Sequence, residues 1–163
     1  MQKLHLLKNK LTDLQVEPLA AGLSKSRDLR SVYMSHNFMS NEALGVLSDA
    51  LALNVGIEEL SLTHNDLSLP NGVKLIRALK NMPNLKKISL NSCNMDMDLL
   101  QELSNSLSQQ DVLTDLNLYS NEINSEGAKI IAGMLKNKVN LKALGLSNNY
   151  IGHGGARELA STC

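Results

Sequence analysis

The fold is decided by residues 113–136, LTDLNLYSNEINSEGAKIIAGMLK, which contain one whole structural unit. In its first half Leu116 and Leu118 alternate with polar neighbours, the period of a strand. In its second half Ala128, Ile131 and Leu135 recur at spacings of three and four, which mark one face of a helix. Between the two halves stands Asn121, followed by Ile123.

Working outward, the same Leu-x-Leu-x-x-Asn-x-Leu pattern begins at Leu4, Val32, Leu60, Ile88 and Leu144. Its Asn/Cys position falls at Asn9, Asn37, Asn65, Cys93, Asn121 and Asn149, each 28 residues after the last. The helical stripe recurs as Val16, Leu19, Leu23; Leu44, Leu47, Leu51; Gly72, Leu75, Ile76, Leu79; and Leu100, Leu103, Leu107. A fixed period of this length marks a repeat architecture, and six units follow: about 1–28, 29–56, 57–84, 85–112, 113–140 and 141–163. A single unit cannot cover its apolar face, whereas stacked units bury a continuous core. The expected class is α/β, a right-handed solenoid with a curved parallel sheet inside and helices outside. Pro18 and Pro70 are expected in first helical turns, and Ser40 and Ser125 as helix caps. The run Gly152–Gly155 is expected in the turn leading into the sixth helix. No lysine follows it, so it is not a phosphate cradle.

The amide column has a physical cause. Where the chain leaves each strand, backbone groups point inward without a sheet partner, and each orphan costs about 1–3 kcal/mol. An inward amide can donate to one such group and accept from another. Stacked once per unit, Asn9, Asn37, Asn65, Asn121 and Asn149 form a structural ladder, with Cys93 as a weaker rung and an inert buried thiol.

Composition narrows the function. Sixteen basic and sixteen acidic residues give a net charge of zero, which offers neither nucleic acid nor an anionic membrane a basic face. Three tyrosines, one phenylalanine and no tryptophan are too few for a base-stacking platform. Two cysteines, Cys93 and Cys163, exclude a disulfide framework, and no Asn-x-Ser/Thr sequon occurs. A cytoplasmic location is therefore expected, and no segment is apolar enough to span a bilayer. No nucleophile elbow, zinc-protease helix, Cys-x-x-Cys pair or phosphate loop occurs, so neither catalysis nor a cofactor is expected.

With this unit and its Asn/Cys position, the chain resembles ribonuclease-inhibitor-type leucine-rich repeats over its whole length. The segments LTDLNLYSNEINSEGAKIIAGMLK and LKALGLSNNYIGHGGARELA (beginning at Leu141) carry the likeness most fully. The class also occurs at the carboxyl end of nucleotide-oligomerisation immune receptors. Ribonuclease inhibitor itself is cysteine-rich, acidic and alternates two unit lengths, and these departures argue against ribonuclease inhibition. The resemblance implies a non-catalytic module that holds a protein partner on its concave face. It leaves open a GTPase activator of the Ran-activating type, or a structural segment of a ciliary or cytoskeletal assembly or of a bacterial effector. No polar capping segment is recognised at either end. Leu4, Leu6, Leu11, Val16 and Leu19 at one end, and Leu144, Leu146, Ile151 and Leu159 at the other, are expected to face solvent. The array is accordingly expected to be part of a longer chain, or to have its ends covered by self-association or partners.

On the concave face, one column reads Gln2, Arg30, Glu58, Lys86, Thr114, Lys142 and the next Lys3, Ser31, Glu59, Lys87, Asp115, Ala143. Their alternating signs suit either cross-strand ion pairs or a mixed-charge docking surface. Further along lie Tyr33, Asn117, Ser35, Thr63, Asn91 and Tyr119, the hydroxyls, amides and rings of an adaptable recognition surface. Tyr33 and Tyr119 are the expected anchors, unless they only cover their neighbours. His36 and His64 share a column and complete the candidate set. Two ligands are too few for a metal, and none is expected.

Overall fold

The computed structural model describes residues 1–162, and Cys163 lies outside them. Strands β1 (Lys3–His5), β2 (Ser31–Tyr33), β3 (Glu59–Ser61), β4 (Lys87–Ser89), β5 (Asp115–Asn117) and β6 (Ala143–Gly145) form one sheet in sequence order. All pairs are parallel and one repeat apart, so Leu4 opposes Val32, then Leu60, Ile88, Leu116 and Leu144. The returns are helices α1 (Asp13–Lys25), α2 (Asn41–Ala52), α3 (Pro70–Ala78), α4 (Met97–Leu107), α5 (Ser125–Leu135) and α6 (Gly152–Ala160). Each helix packs on the next in sequence. This is the leucine-rich-repeat solenoid that the 28-residue period dictates. Among the described residues no helix is long and apolar enough to cross a membrane.

The strand leucines and the helical stripes meet in one continuous core from Leu11 to Met134. The expectation that Leu11 and Val16 face solvent fails, since they are 9% and 0% exposed. The apolar stripe of α1 turns toward the second unit, where α2 packs on it. Leu4, Leu6, Leu19, Leu144, Leu146, Ile151 and Leu159 are half-buried.

Helix starts require three further corrections. Pro70 opens α3 as expected, but Pro18 lies inside α1. Its ring removes the N–H that would bond the Leu14 carbonyl; both residues are exposed, so water can satisfy that oxygen. Ser40 caps α2, accepting from the Ala43 N–H at 3.1 Å. Ser125, by contrast, is the first residue of α5, and Asn124 is the cap, accepting from the N–H groups of Glu126 and Gly127. The Ser125 hydroxyl instead donates to the Ile151 carbonyl of the next unit at 2.7 Å. Gly152–Gly155 form the opening turn of α6 itself, with Gly152 at a φ of 61°.

A second polar column serves the other ends of the helices, where final carbonyls lack intrahelical partners. The Asn54 amide donates to the carbonyls of Leu23 at 2.7 Å and Ser26 at 3.1 Å. Gln110 donates to Leu79 at 2.8 Å, and the Lys138 ammonium to Ser108 and Gln110 at 3.1 and 3.2 Å. Met82 takes this position in the third unit and cannot donate; Asn84, two residues on, donates to Val55 at 2.8 Å. Among the described residues no buried side-chain nitrogen or oxygen lacks a hydrogen-bond partner.

Candidate functional site

Strand alternation turns residues 3 and 5 of the first unit, and their equivalents 28 residues on, away from the helices. Of the two readings of the charged columns, ion pairing is realised in their middle. Glu58 lies 3.7 Å from Arg30 and 2.8 Å from Lys86, and Glu59 lies 3.6 Å from Lys87. Such exposed pairs are worth about 0–1 kcal/mol each, so they organise the surface more than they stabilise it. Asp115 is engaged by the Thr114 hydroxyl at 2.6 Å.

Tyr33 is half-buried, stacked on His5 with ring centroids 4.4 Å apart, and its hydroxyl donates to Glu59. That bond raises the tyrosine pKa and lowers the carboxylate's. Hydroxyls beside it form a diagonal chain. Ser35 meets Ser61 at 3.0 Å, Ser61 meets Thr63 at 3.3 Å, and Thr63 meets Ser89 at 3.0 Å. Farther along, the Tyr119 N–H donates to the side-chain oxygens of Asn91 at 3.0 Å and Asn117 at 3.3 Å. The Tyr119 side chain remains 44% exposed. An open hollow of about 760 Å³ runs from Tyr33 over Glu59, Lys87 and Asp115 to Lys142 and Gly145. Asn117 lines this hollow, but Ser35, Thr63, Asn91 and Tyr119 do not. The two tyrosines stand in separate units, Tyr33 in the second and Tyr119 in the fifth.

The turns leaving the strands hold a feature that sequence reading missed. The residue before every ladder position is left-handed: Lys8, His36, His64, Ser92, Ser120 and Asn148 have φ between 51° and 57°. No glycine marks these positions, although His36, His64 and Asn148 are residue types enriched in the conformation. The turn sends the amide inward and carries its neighbour out to the rim. There His36 and His64 stack, with centroids 4.0 Å apart. Desolvation, His64 and the Lys8 charge hold the His36 imidazole below its ordinary pKa. Phe38, also left-handed at 51°, is 76% exposed beside them.

Inside the turns the ladder is regular. The Asn65 oxygen accepts from the Asn37 N–H at 3.2 Å, and its amide donates to the carbonyls of Met34 and Leu62 at 3.0 and 2.8 Å. Asn37 and Asn149 repeat this arrangement on their own neighbours. Cys93 continues it with sulfur, donating to the Leu62 and Asn91 carbonyls at 3.3 Å while the Asn65 N–H faces the sulfur. Burial pushes the thiol pKa up to about 12. A raised acid pKa means the folded state holds a proton that the unfolded state releases, so this group's contribution to stability declines as pH rises from about 8.5 toward 12. In a Cys163→Ser variant, iodoacetamide at pH 8 is expected to modify Cys93 only at the rate of unfolding. Labelling that is fast and insensitive to stabilising salts would contradict the buried rung.

No group of three or more His, Cys, Asp or Glu residues converges on a metal site among the described residues. A shallow polar surface of this kind can hold an extended or convex protein surface, but it does not enclose a reacting group away from water.

A family model described as a leucine-rich repeat matches residues 112–132. Human NACHT, LRR and PYD domains-containing protein 13 is 36% identical over 135 residues, covering 82% of this chain and 13% of that protein. Ribonuclease inhibitor from Sus scrofa is 29% identical over 164 residues, covering 99% of this chain and 36% of the inhibitor. The chain thus spans about a third or less of these relatives. Among solved structures, the Caenorhabditis elegans tropomodulin C-terminal domain superposes with a TM-score of 0.71 at 19% identity, covering 90% of each chain. The leiomodin-1 actin-binding site 2 gives 0.69 at 18% identity, covering 87% of this chain and 83% of that one. At these identities the structural likeness concerns the fold.

Proposed function

We propose that this chain, a ribonuclease-inhibitor-like leucine-rich-repeat array, works as a non-catalytic module that binds a protein partner on the open face of its sheet. One observation carries the reading: that face is a polar surface on a rigid parallel sheet, with exposed Tyr119 braced by Asn91 and Asn117. The brace acts on the Tyr119 backbone and leaves the ring free to bury against a partner. An amphipathic ring with little conformational entropy to lose is the usual anchor of such contacts. The hydroxyl chain from Ser35 to Ser89 adds donors and acceptors with spare capacity, since each hydroxyl offers one donor and two lone pairs.

The test is a partner's affinity for Tyr119→Ala and Asn117→Ala variants, measured by calorimetry. Each is expected to weaken binding by about tenfold or more while leaving the melting temperature within ~2 °C. Unchanged affinity in both, with loss on substituting the exposed helix residue Arg77, would move the site to the convex side.

A further inference from the structure

The open face is chemically uneven. Tyr33, Phe38 and the stacked His36–His64 pair all lie in the second and third units, with Lys8 and Lys10 beside them in the first. Phe38 is 76% exposed although a unit stands on either side of it, so its exposure belongs to the rim and not to a margin of the array. Neither Lys8 nor Lys10 has an ion-pair partner among the described residues. The neighbouring carboxylates make no ion pair with them: Glu59 pairs with Lys87 and accepts from Tyr33, while Asp66 accepts from Ser68 and Asn94, and Asp13 from Ser40. An exposed apolar ring therefore stands beside two cations outside any ion pair among the described residues, and two imidazoles.

Building on the interaction reading above, we propose that this rim takes an acidic segment of a protein partner, seating an apolar side chain on Phe38 and carboxylates against Lys8, Lys10 and the histidine pair. Charge complementarity selects the occupant, because a basic or neutral segment would leave both lysines unmatched and gain only the Phe38 contact. The pairing also makes binding depend on pH. His36 resists protonation in the free protein through desolvation first, then the neighbouring His64 and the Lys8 charge; Asp66, in the adjacent unit, accepts from Ser68 and Asn94. A bound carboxylate reverses that balance, so the complex takes up protons and tightens as pH falls. With the His36 imidazole taking up the proton, affinity at pH 5.5 is expected to exceed that at pH 7.5 by up to about tenfold.

A random peptide-display library without charge bias tests this against the wild-type chain, a Lys8→Glu/Lys10→Glu variant and Tyr119→Ala. Expected is enrichment of peptides rich in Glu and Asp around one apolar residue, lost on the charge-reversed variant and weakened by Phe38→Ala. A synthetic copy of the leading peptide is then followed by fluorescence anisotropy at both pH values. The gain at pH 5.5 is expected to vanish in His36→Gln/His64→Gln. Neutral or basic peptides that depend on Tyr119 and ignore the lysine reversal would overturn the acidic-segment proposal and leave the interaction reading standing. Peptides that depend on neither set would remove both. A pH-independent affinity, or tighter retention of a DNA oligonucleotide or phosphatidylserine vesicles than of the acidic peptide, would also overturn the proposal.

Discussion

Replacing Asn121 with alanine is expected to lower the free energy of unfolding by roughly 3–5 kcal/mol, a large part of the 5–15 kcal/mol that holds a domain folded. The side chain is 3% exposed. Its oxygen accepts from the N–H groups of Cys93 at 2.8 Å and Met95 at 3.3 Å, and its amide donates to the carbonyls of Leu90 at 2.8 Å and Leu118 at 3.1 Å. Alanine restores none of these bonds and leaves the backbone groups in a cavity without water. The magnitude follows from two or three orphaned groups at about 1–3 kcal/mol each, partly relieved by relaxation. Urea unfolding followed by circular dichroism measures it as a fall in midpoint of about 1.5–2.5 M at a slope near 2 kcal/mol per molar. Asn9 is the control, because it is exposed and its amide makes one 3.2 Å bond to the Leu7 carbonyl. Asn9→Ala should cost under about 1 kcal/mol. Equal losses at the two positions would refute the ladder as the main support of the turns.

Gly72→Ala is the second severe change. A Cβ built there would stand 1.8 Å from the Leu67 carbonyl oxygen and 2.7 Å from its carbon. Neither atom can swing aside like a side-chain tip, for Leu67 is fully buried and its N–H is bonded to the Cys93 carbonyl at 3.0 Å. Just ahead of Gly72, Pro70 fixes the entry of α3. The helix must therefore move off the sheet, at an expected cost above about 3 kcal/mol, or the domain fails to fold at 37 °C. Gly133→Ala makes the contrast within the same protein. Nothing lies within 4 Å of a Cβ built there, and α5 should gain up to about 1 kcal/mol from reduced unfolded-state freedom. Thermal melts of the two variants should shift in opposite directions; a mild effect at Gly72 would mean that α3 has slack the packing does not reveal.

Why the architecture could be read from residues, and much of the site could not, follows from what each depends on. Burial imposes a period, and Leu116, Leu118, Ile131 and their equivalents carry it in their own side chains, so strand, turn and helix are visible in one unit. The ladder is visible for the same reason, since Asn recurs wherever inward backbone groups need a partner. The second column hides because its task admits different chemistries: Asn54, Gln110 and Lys138 each reach a carbonyl of the preceding unit with a different head group. The left-handed turns hide because the unit's packing forces a conformation that Lys8, Ser92 or Phe38 would not choose unaided. The exposure of Phe38 follows from that conformation, which its residue type does not disclose. Ser125 reads as a cap because Ser and Asn serve equally well in that position, and the backbone geometry gives the task to Asn124.

The rungs of the amide column also govern how this chain can change length. Besides a bond within its own unit, each buried rung joins residues 26, 28 or 31 apart, with the partner in the unit alongside. Excising residues 85–112 would bring Asn65 directly beneath Asn121 and renew every inward contact with an amide in place of the thiol. Losing 27 or 29 residues would throw leucines to the outside and leave the turns unsupported. Evolution can therefore lengthen or shorten such a molecule by duplicating or deleting whole multiples of its period, with the inner column acting as the gauge.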